Sequence, residues 1–366
     1  MKLKEKIPWL MGRLQRTLFP CLEDCCITPL TEQEKHLVKV LELIEIEKHV
    51  QKNMQYTGRP AVERRVIARC YVAKALFRYP HTRNLIHELQ ARPNLRLICG
   101  FDSQQKIPSE STFSRAFAEF AAQSLGQVVH DSMVQEYLEN ELIGHVSRDS
   151  TAIAGREKAA KKQKSAKVPR KRGRPAKGEH RPPKEEKRLD KQLRQEAEQA
   201  VFELPTVCDR GVKKNAKGYK ESWNGYKLHA DVNDAMLPLS VVITSASVHY
   251  SQVAIPLIKM TSKKVNYCYD LMDAAYDAQQ IWEQSKALGH VAIIDRNPRK
   301  GKAIPMSPNE AKRYNERGSC ERFNGRLKED FGGRHVMVRG HAKVTMHLMF
   351  GVVALFADQL MKLTGY

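Results

Sequence analysis

Asp149, Asp273 and Glu321 are the residues of this chain most suited to holding hard metal ions. Asp149 follows a strand-like run at 142–148, and Asp273 follows another at 266–272. Side chains at the carboxyl ends of strands converge on one edge of a sheet, where α/β proteins build their sites. Glu321 falls in a helical segment over 309–331, together with Tyr314, Arg317 and Lys328. At 100° per residue these four share an arc of about 60°. Cys320, Phe323 and Leu327 form a separate apolar arc suited to packing on a sheet. Gly318 and Gly325 weaken the helix, so packing must hold it. Two aspartates and a glutamate make an all-oxygen site of the kind Mg²⁺ prefers, with Mn²⁺ as a substitute. Two such ions about 4 Å apart activate an attacking oxygen and stabilise the leaving one in an in-line displacement at phosphorus. Without metal, three carboxylates so close would repel one another. Asp231, Asp277 and Asp295 are rival carboxylates, and Asp295 also ends a strand-like run.

The elements needed to position these groups can be read from the pattern. The second half alternates strand-like and helix-like runs: a hairpin over 225–232 and 237–247, a helix at 253–260, the strand ending at Asp273, a helix at 278–288, a strand at 290–294 and the helix of Glu321. That order predicts an α/β domain with a mixed sheet. Trp223, just before the hairpin, reads as a core residue. The first third reads as all-α. Apolar residues recur at helical spacing over 30–49, behind a Thr31–Glu34 capping box. Further helices are expected at 61–78, at 82–91, and from a Ser109 or Ser111 cap to Gln123. Short helices with a polar start to the last one suit a helix-turn-helix-like unit that contacts DNA, or a plain helical bundle. The expected organisation is a helical DNA-binding region over 1–140 and an α/β domain over 141–366.

Composition narrows the partner. The 366 residues are 42% hydrophobic, enough for two or three cores, and the net charge is +21 with a pI near 9.6. Such an excess calls for a polyanion. Basic residues break up the first 22 positions, and the longest apolar run, 348–357, is about half of what a spanning helix needs. No export signal and no membrane are expected. The 8 cysteines form no CxxC pair and read as free thiols. Within 156–194 there are 17 Lys or Arg and 5 acidic residues, and no Phe, Tyr, Trp or Ile. A basic, flexible insertion is therefore expected over about 155–205, with helix at most from 183 to 200. It contains Lys171-Arg172-Gly173-Arg174-Pro175, which resembles the AT-hook; glycine would let Arg172 and Arg174 follow the minor groove of A·T-rich DNA. A basic linker meeting phosphates non-specifically is the plainer reading.

Tyr314, Arg317, Glu321 and Lys328 have the spacing Y-(2)-R-(3)-E-(6)-K, which resembles the signature of DDE insertion-sequence transposases. Asp273-Ala274-Ala275-Tyr276-Asp277 is similar to their second-aspartate motif, and Asp149-Ser150-Thr151 to the first. Residues 56–60 and 108–115 resemble the amino-terminal part of such proteins. The resemblance implies a ribonuclease-H-like catalytic fold, Mg²⁺ dependence and binding to double-stranded DNA, both the element's terminal inverted repeats and the target. It implies Asp149, Asp273 and Glu321 as catalytic metal ligands, and Tyr314, Arg317 and Lys328 as DNA contacts around the reacting phosphate. A cytoplasmic, nucleoid-associated bacterial protein, acting as a homodimer or higher oligomer on DNA, follows from the same likeness. His249-Tyr250-Ser251 departs from the His-Asp-Ser often found in relatives, and only 47 residues separate Asp273 from Glu321, so no large domain lies between them. A transposase-derived regulator without catalysis, or a nuclease that does not join ends, are the other readings.

Overall fold

The computed structural model describes residues 28–51, 62–102, 105–161, 186–214, 217–298, 301 and 304–365. Arg172 and Arg174 lie outside them, as do residues 56–60. Among the described residues six helices come first: α1 (Glu32–Ile44), α2 (Arg64–Leu76), α3 (Thr82–Ala91), α4 (Pro93–Cys99), α5 (Glu110–Ala122) and α6 (Leu125–Leu138). The capping box expected at α1 is present: the Glu34 N–H donates to Thr31 Oγ1 at 3.3 Å, and the Thr31 N–H donates to Glu34 Oε2 at 3.0 Å. Together these satisfy two amides that the first turn would leave unpaired.

These helices do not form their own core. They surround the last helix of the chain, α13 (His341–Leu363), which packs against α1, α2, α5 and α6. The Tyr71 ring of α2 stacks on Phe350 of α13 at 5.4 Å and meets Phe117 of α5 at 4.8 Å. At Gly126 the approach of α6 to α13 is so close that a Cβ would stand 2.6 Å from that of Met349. By length and composition α13 could cross a membrane, but 89% of its apolar window is buried inside the protein. It is a core helix. Its buried Asp358 receives Arg326 and Lys362, groups that suit a protein interior edge. The expectation grouped 341–363 with the sheet. The helix serves both parts, and one continuous apolar core runs from Leu37 and Phe113 through Val146 and Leu228 to Phe356.

The sheet is mixed and flanked by helices. Its strands are β1 (Leu142–Ala154), β2 (Asp209–Lys214), β3 (Lys220–Asn233), β4 (Pro238–Ser245), β5 (Asn266–Met272) and β6 (Val291–Ile294), in the order β2-β3-β1-β5-β6, with β4 also on β3. β1 pairs antiparallel with β3 and parallel with β5, and β5 pairs parallel with β6. Helices α9 (Ser251–Lys264) and α10 (Gln279–Ala287) cover one face, and α12 (Gly318–Asp330) packs on β1 and β3 from the other. β1 is longer than expected. It runs past Asp149 to Ala154, because β3 keeps pairing with it as far as Ala154↔Gly225. Asp149 is thus inside a strand, although its parallel neighbour stops at Met272.

Two further differences concern the insertion and the Glu321 helix. The helix expected within 183–200 is present as two short helices, α7 (Arg188–Arg194) and α8 (Ala197–Phe202), but they are packed on α9 and not solvated. Leu189 and Leu193 supply the apolar contact. The Lys259 ammonium donates to the carbonyls of Gln192, Leu193 and Gln195 at 2.6–3.0 Å, capping the end of α7. The single helix expected over 309–331 is three pieces: α11 (Pro308–Tyr314), a 3₁₀ turn (Asn315–Arg317) and α12. The low helix propensity of Gly318 and a hydrogen bond from Ser147 Oγ to the Glu316 carbonyl (3.2 Å) mark the break.

Candidate active site

Alternation along β1 divides its side chains between the two faces. Arg148 points to the α9/α10 side, where it meets Asp231 Oδ2 at 2.7 Å and Asp270 Oδ1 at 3.2 Å. Asp149 points to the α12 side, where Asn324 Nδ2 reaches its Oδ2 at 3.4 Å. The parallel register Ser147↔Leu271, continued by two residues, sets Asp149 beside Asp273 on the same face. Neighbouring strands lie about 4.8 Å apart. Beyond β5 the Asp273 carboxylate accepts the Ala275 N–H at 2.9 Å, starting the 3₁₀ turn Ala274–Tyr276, and this fixes its direction. Cys320 Sγ contacts the carbonyl of Ala230, the residue paired with Asp149, which seats α12 against the sheet one residue before Glu321.

Charge ties the groups together. Burial pushes the Asp149 carboxyl up to about 6; Asp273 and Glu321 add to the rise, while the Ser150 N–H and Arg317 oppose it. Asp273 is also raised by burial and by Asp295, against Ala275, Arg317 and His249. Burial disfavours the Arg317 charge, but Tyr314, Glu321, Asp149 and Asp273 outweigh it and hold the guanidinium protonated. Arg317 forms an ion pair with Glu321 and lies over the Tyr314 ring at 5.7 Å. The 3₁₀ turn therefore keeps Tyr314, Arg317 and Glu321 together. Burial, with Lys213 and Arg334, lowers Lys328, and the negative charge of Asp149 partly offsets this. All six residues expected from the sequence in this region share one electrostatic neighbourhood.

Comparison with known families adds an independent observation. Residues 146–357 match the family described as Transposase DDE domain, and residues 26–119 match Transposase domain (DUF772). The chain belongs to the DDE transposase family. No curated protein and no solved structure matches it. The first match falls on the sheet and its helices and the second on the helical region.

Within this transposase the rival carboxylates separate. Asp231 is fully buried in the Arg148 cluster, and Asp277 accepts from Trp282 Nε1 and the Asn297 N–H. Asp295 stays near, since its N–H donates to the Met272 carbonyl and its charge acts on Asp273 and Tyr314. Sequence reasoning missed Asn324, although it lies three residues after Glu321, on the same face. It also missed the Tyr276 hydroxyl, which is buried without a hydrogen-bond partner and whose pKa is raised by burial and by the charges of Asp149 and Asp273. Trp223 is only half-buried, its Nε1 donating to the Tyr226 carbonyl at 3.1 Å. The five described cysteines are free thiols. Among the described residues no three His, Cys, Asp or Glu side chains form a ready-made metal cage. Glu321 instead faces Arg317 and is 57% exposed. The donor chemistry nevertheless fits a hard divalent ion: oxygen ligands, two on adjacent strands, mutually repelling and next to an unpartnered hydroxyl.

Proposed function

We propose that this chain is a DNA transposase that binds the terminal inverted repeats of an insertion sequence, hydrolyses a phosphodiester there, and joins the freed 3′-hydroxyl to target DNA. The observation that carries this reading is the register placing Asp149 beside Asp273 on the face where Glu321 and Arg317 stand, in a chain matched by the family over 146–357. The strand order, with an antiparallel meander of β1, β3 and β4 and parallel β5 and β6 beside β1, supports a ribonuclease-H-like domain.

Asp149, Asp273 and Glu321 would hold divalent ions, Mg²⁺ with Mn²⁺ as substitute. Bound there, the metal would supply charge neutralisation and activation of the attacking oxygen. The protein's own groups do the rest. The Ala275 N–H holds the Asp273 carboxylate in direction, and Asn324 holds that of Asp149. Arg317 and Tyr314 orient the scissile phosphate, Arg317 by charge-assisted hydrogen bonds that leave Glu321 free to turn inward. Lys328 binds a neighbouring phosphate. The helical region, aided by the basic insertion with Arg172 and Arg174, contributes affinity for the DNA ends.

Metal-dependent nicking of duplex carrying the element's ends tests this. Asp149→Ala, Asp273→Ala and Glu321→Ala are each expected to reduce it by about a thousandfold or more, which corresponds to about 4 kcal/mol of transition-state stabilisation. Undiminished nicking in all three would sink the proposal. Strand transfer from a pre-cleaved end is expected in the wild type; its absence beside normal nicking would point to a nuclease that does not join.

A further inference from the structure

A cavity of about 600 Å³ lies outside the acidic cluster. It opens where α2, α3 and α5 meet the chain just beyond β1 and the segment leading into α13. Lys74, Arg83, Arg156, Arg339 and Lys343 line it, against a single carboxylate, Glu110.

The cations here differ from their neighbours. Three arginines elsewhere in the helical region are matched with acids: Arg64 with Glu119, Arg69 with Glu47 and Arg92 with Glu34. Arg83, Arg156, Arg339 and Lys343 form no ion pair with a carboxylate among the described residues. Arg156 reaches only the Met337 carbonyl, at 3.5 Å. At the base, Lys74 is 8% exposed and its ammonium donates to the Pro80 carbonyl at 3.4 Å. Burial lowers its pKa to about 8, and an anion entering the cavity would oppose that shift and favour the charged form. Five cations against one carboxylate, lining a space of ordinary ligand size, suit a phosphodiester strand.

We propose that this cleft grips the phosphate backbone of the DNA end on which the acidic cluster acts, as a second contact made jointly by the helical region and the α/β domain. This rests on the transposase reading. Arg156 is seven residues beyond Asp149. Seven residues reach at most about 25 Å. At 3.4 Å per nucleotide the gripped phosphates would lie within about seven nucleotides of the cut.

The test is the salt dependence of binding to a 30-base-pair duplex, followed by fluorescence anisotropy of the full chain. The Arg83→Gln, Arg339→Gln, Lys343→Gln triple variant is expected to bind at least tenfold more weakly near 0.1 M salt. Its slope of log affinity against log salt should fall by about 2–3, near 0.9 per lost phosphate contact. Arg339→Gln alone should lower it by about 1, in case the triple variant fails to fold. Lys286→Gln, on α10 and outside the cleft, should leave the slope unchanged. An unaltered slope in folded Arg339→Gln and triple variants overturns the proposal. So does a cleft that binds inorganic phosphate or a free nucleotide while DNA affinity stays at the wild-type value. Because nicking by the carboxylate variants is scored separately, loss of slope beside undiminished nicking in those variants would reject the catalytic reading and keep the cleft.

Discussion

Arg148 and Asp149 are consecutive residues on one strand and belong to two opposite solutions to buried charge. On the α9/α10 face, Arg148, Asp231 and Asp270 are all 0% exposed and nearly complete as a network. Thr261 Oγ1 donates to Asp231 at 2.6 Å, and Ser285 Oγ donates to Asp270 at 2.8 Å. Against its burial, the two carboxylates hold the guanidinium protonated. On the α12 face the compensation is thinner. Three carboxylates, Asp149, Asp273 and Glu321, share the one guanidinium of Arg317, and burial with the neighbouring carboxylates raises Asp149 to about 6. A network in which both carboxylates are ion-paired or hydrogen-bonded ties β1, β3 and β5 together; a cluster of carboxylates with one shared cation is left where an external cation could complete it. The difference teaches that charge burial alone does not mark a site. What marks it is charge that the protein has not itself compensated.

Breaking the satisfied side gives the largest expected effect. Arg148→Met strands two buried carboxylates and should destabilise the fold by about 3–5 kcal/mol, read from the urea midpoint. Replacing all three members, as Arg148→Met, Asp231→Leu and Asp270→Leu, should recover most of that loss, since no charge is then left unpaired. If the single change cost no more than an ordinary surface substitution, the two sides of β1 would not differ as described.

On the unsatisfied side the sign reverses. Folded Asp149 keeps its proton to about pH 6, whereas the unfolded group releases it near 3.8. The folded state therefore binds more protons between these values, so this group's stabilising contribution is full below pH 4 and is lost as pH rises to about 6. Asp149→Asn should remove that loss and make the protein about 1–3 kcal/mol more stable than the wild type above pH 6. Melting temperatures of the two proteins across pH 4–8 would show it. Millimolar Mg²⁺ should stabilise the wild type above pH 6 and leave Asp149→Asn nearly unaffected. A wild type more stable than Asp149→Asn at pH 7 without metal would contradict the picture of an uncompensated site.

How much of this was legible follows from the range over which each feature is decided. The Thr31–Glu34 cap and the strand preceding Asp273 are local, and both stand where the pattern puts them. The tie among Tyr314, Arg317 and Glu321 survives a broken helix because their spacing of three and four residues needs only local turns. Features set by distant partners were not legible. β1 continues past Asp149 only because Gly225 and its neighbours arrive beside it from about 70 residues away. The helix expected over 183–200 is legible in part, but not its seat: residues 188–202 pack because Lys259 and the apolar side of α9 receive them. The role of Arg148 depends on Asp231 and Asp270, from two other strands, and nothing in its own neighbourhood announces it.

The finest distinction concerns the cation already among the carboxylates. Arg317 is 20% exposed and lowers both Asp149 and Asp273. Arg317→Gln should therefore move the Asp149 titration upward by about one pH unit, within the range for loss of a nearby opposite charge. The clean readout is a double-mutant cycle: the stability difference made by Asp149→Asn, measured from pH 4 to 8 with and without Arg317, whose midpoint should shift upward when Arg317 is gone. Lys328→Gln should shift it in the same direction but less, because Arg317 stands among the main charges lowering Asp149 and Lys328 does not. Equal shifts from the two substitutions would mean that the acidic cluster senses only the general positive field of α12. A larger shift from Arg317 would identify it as the group that any incoming metal ion must displace from Glu321.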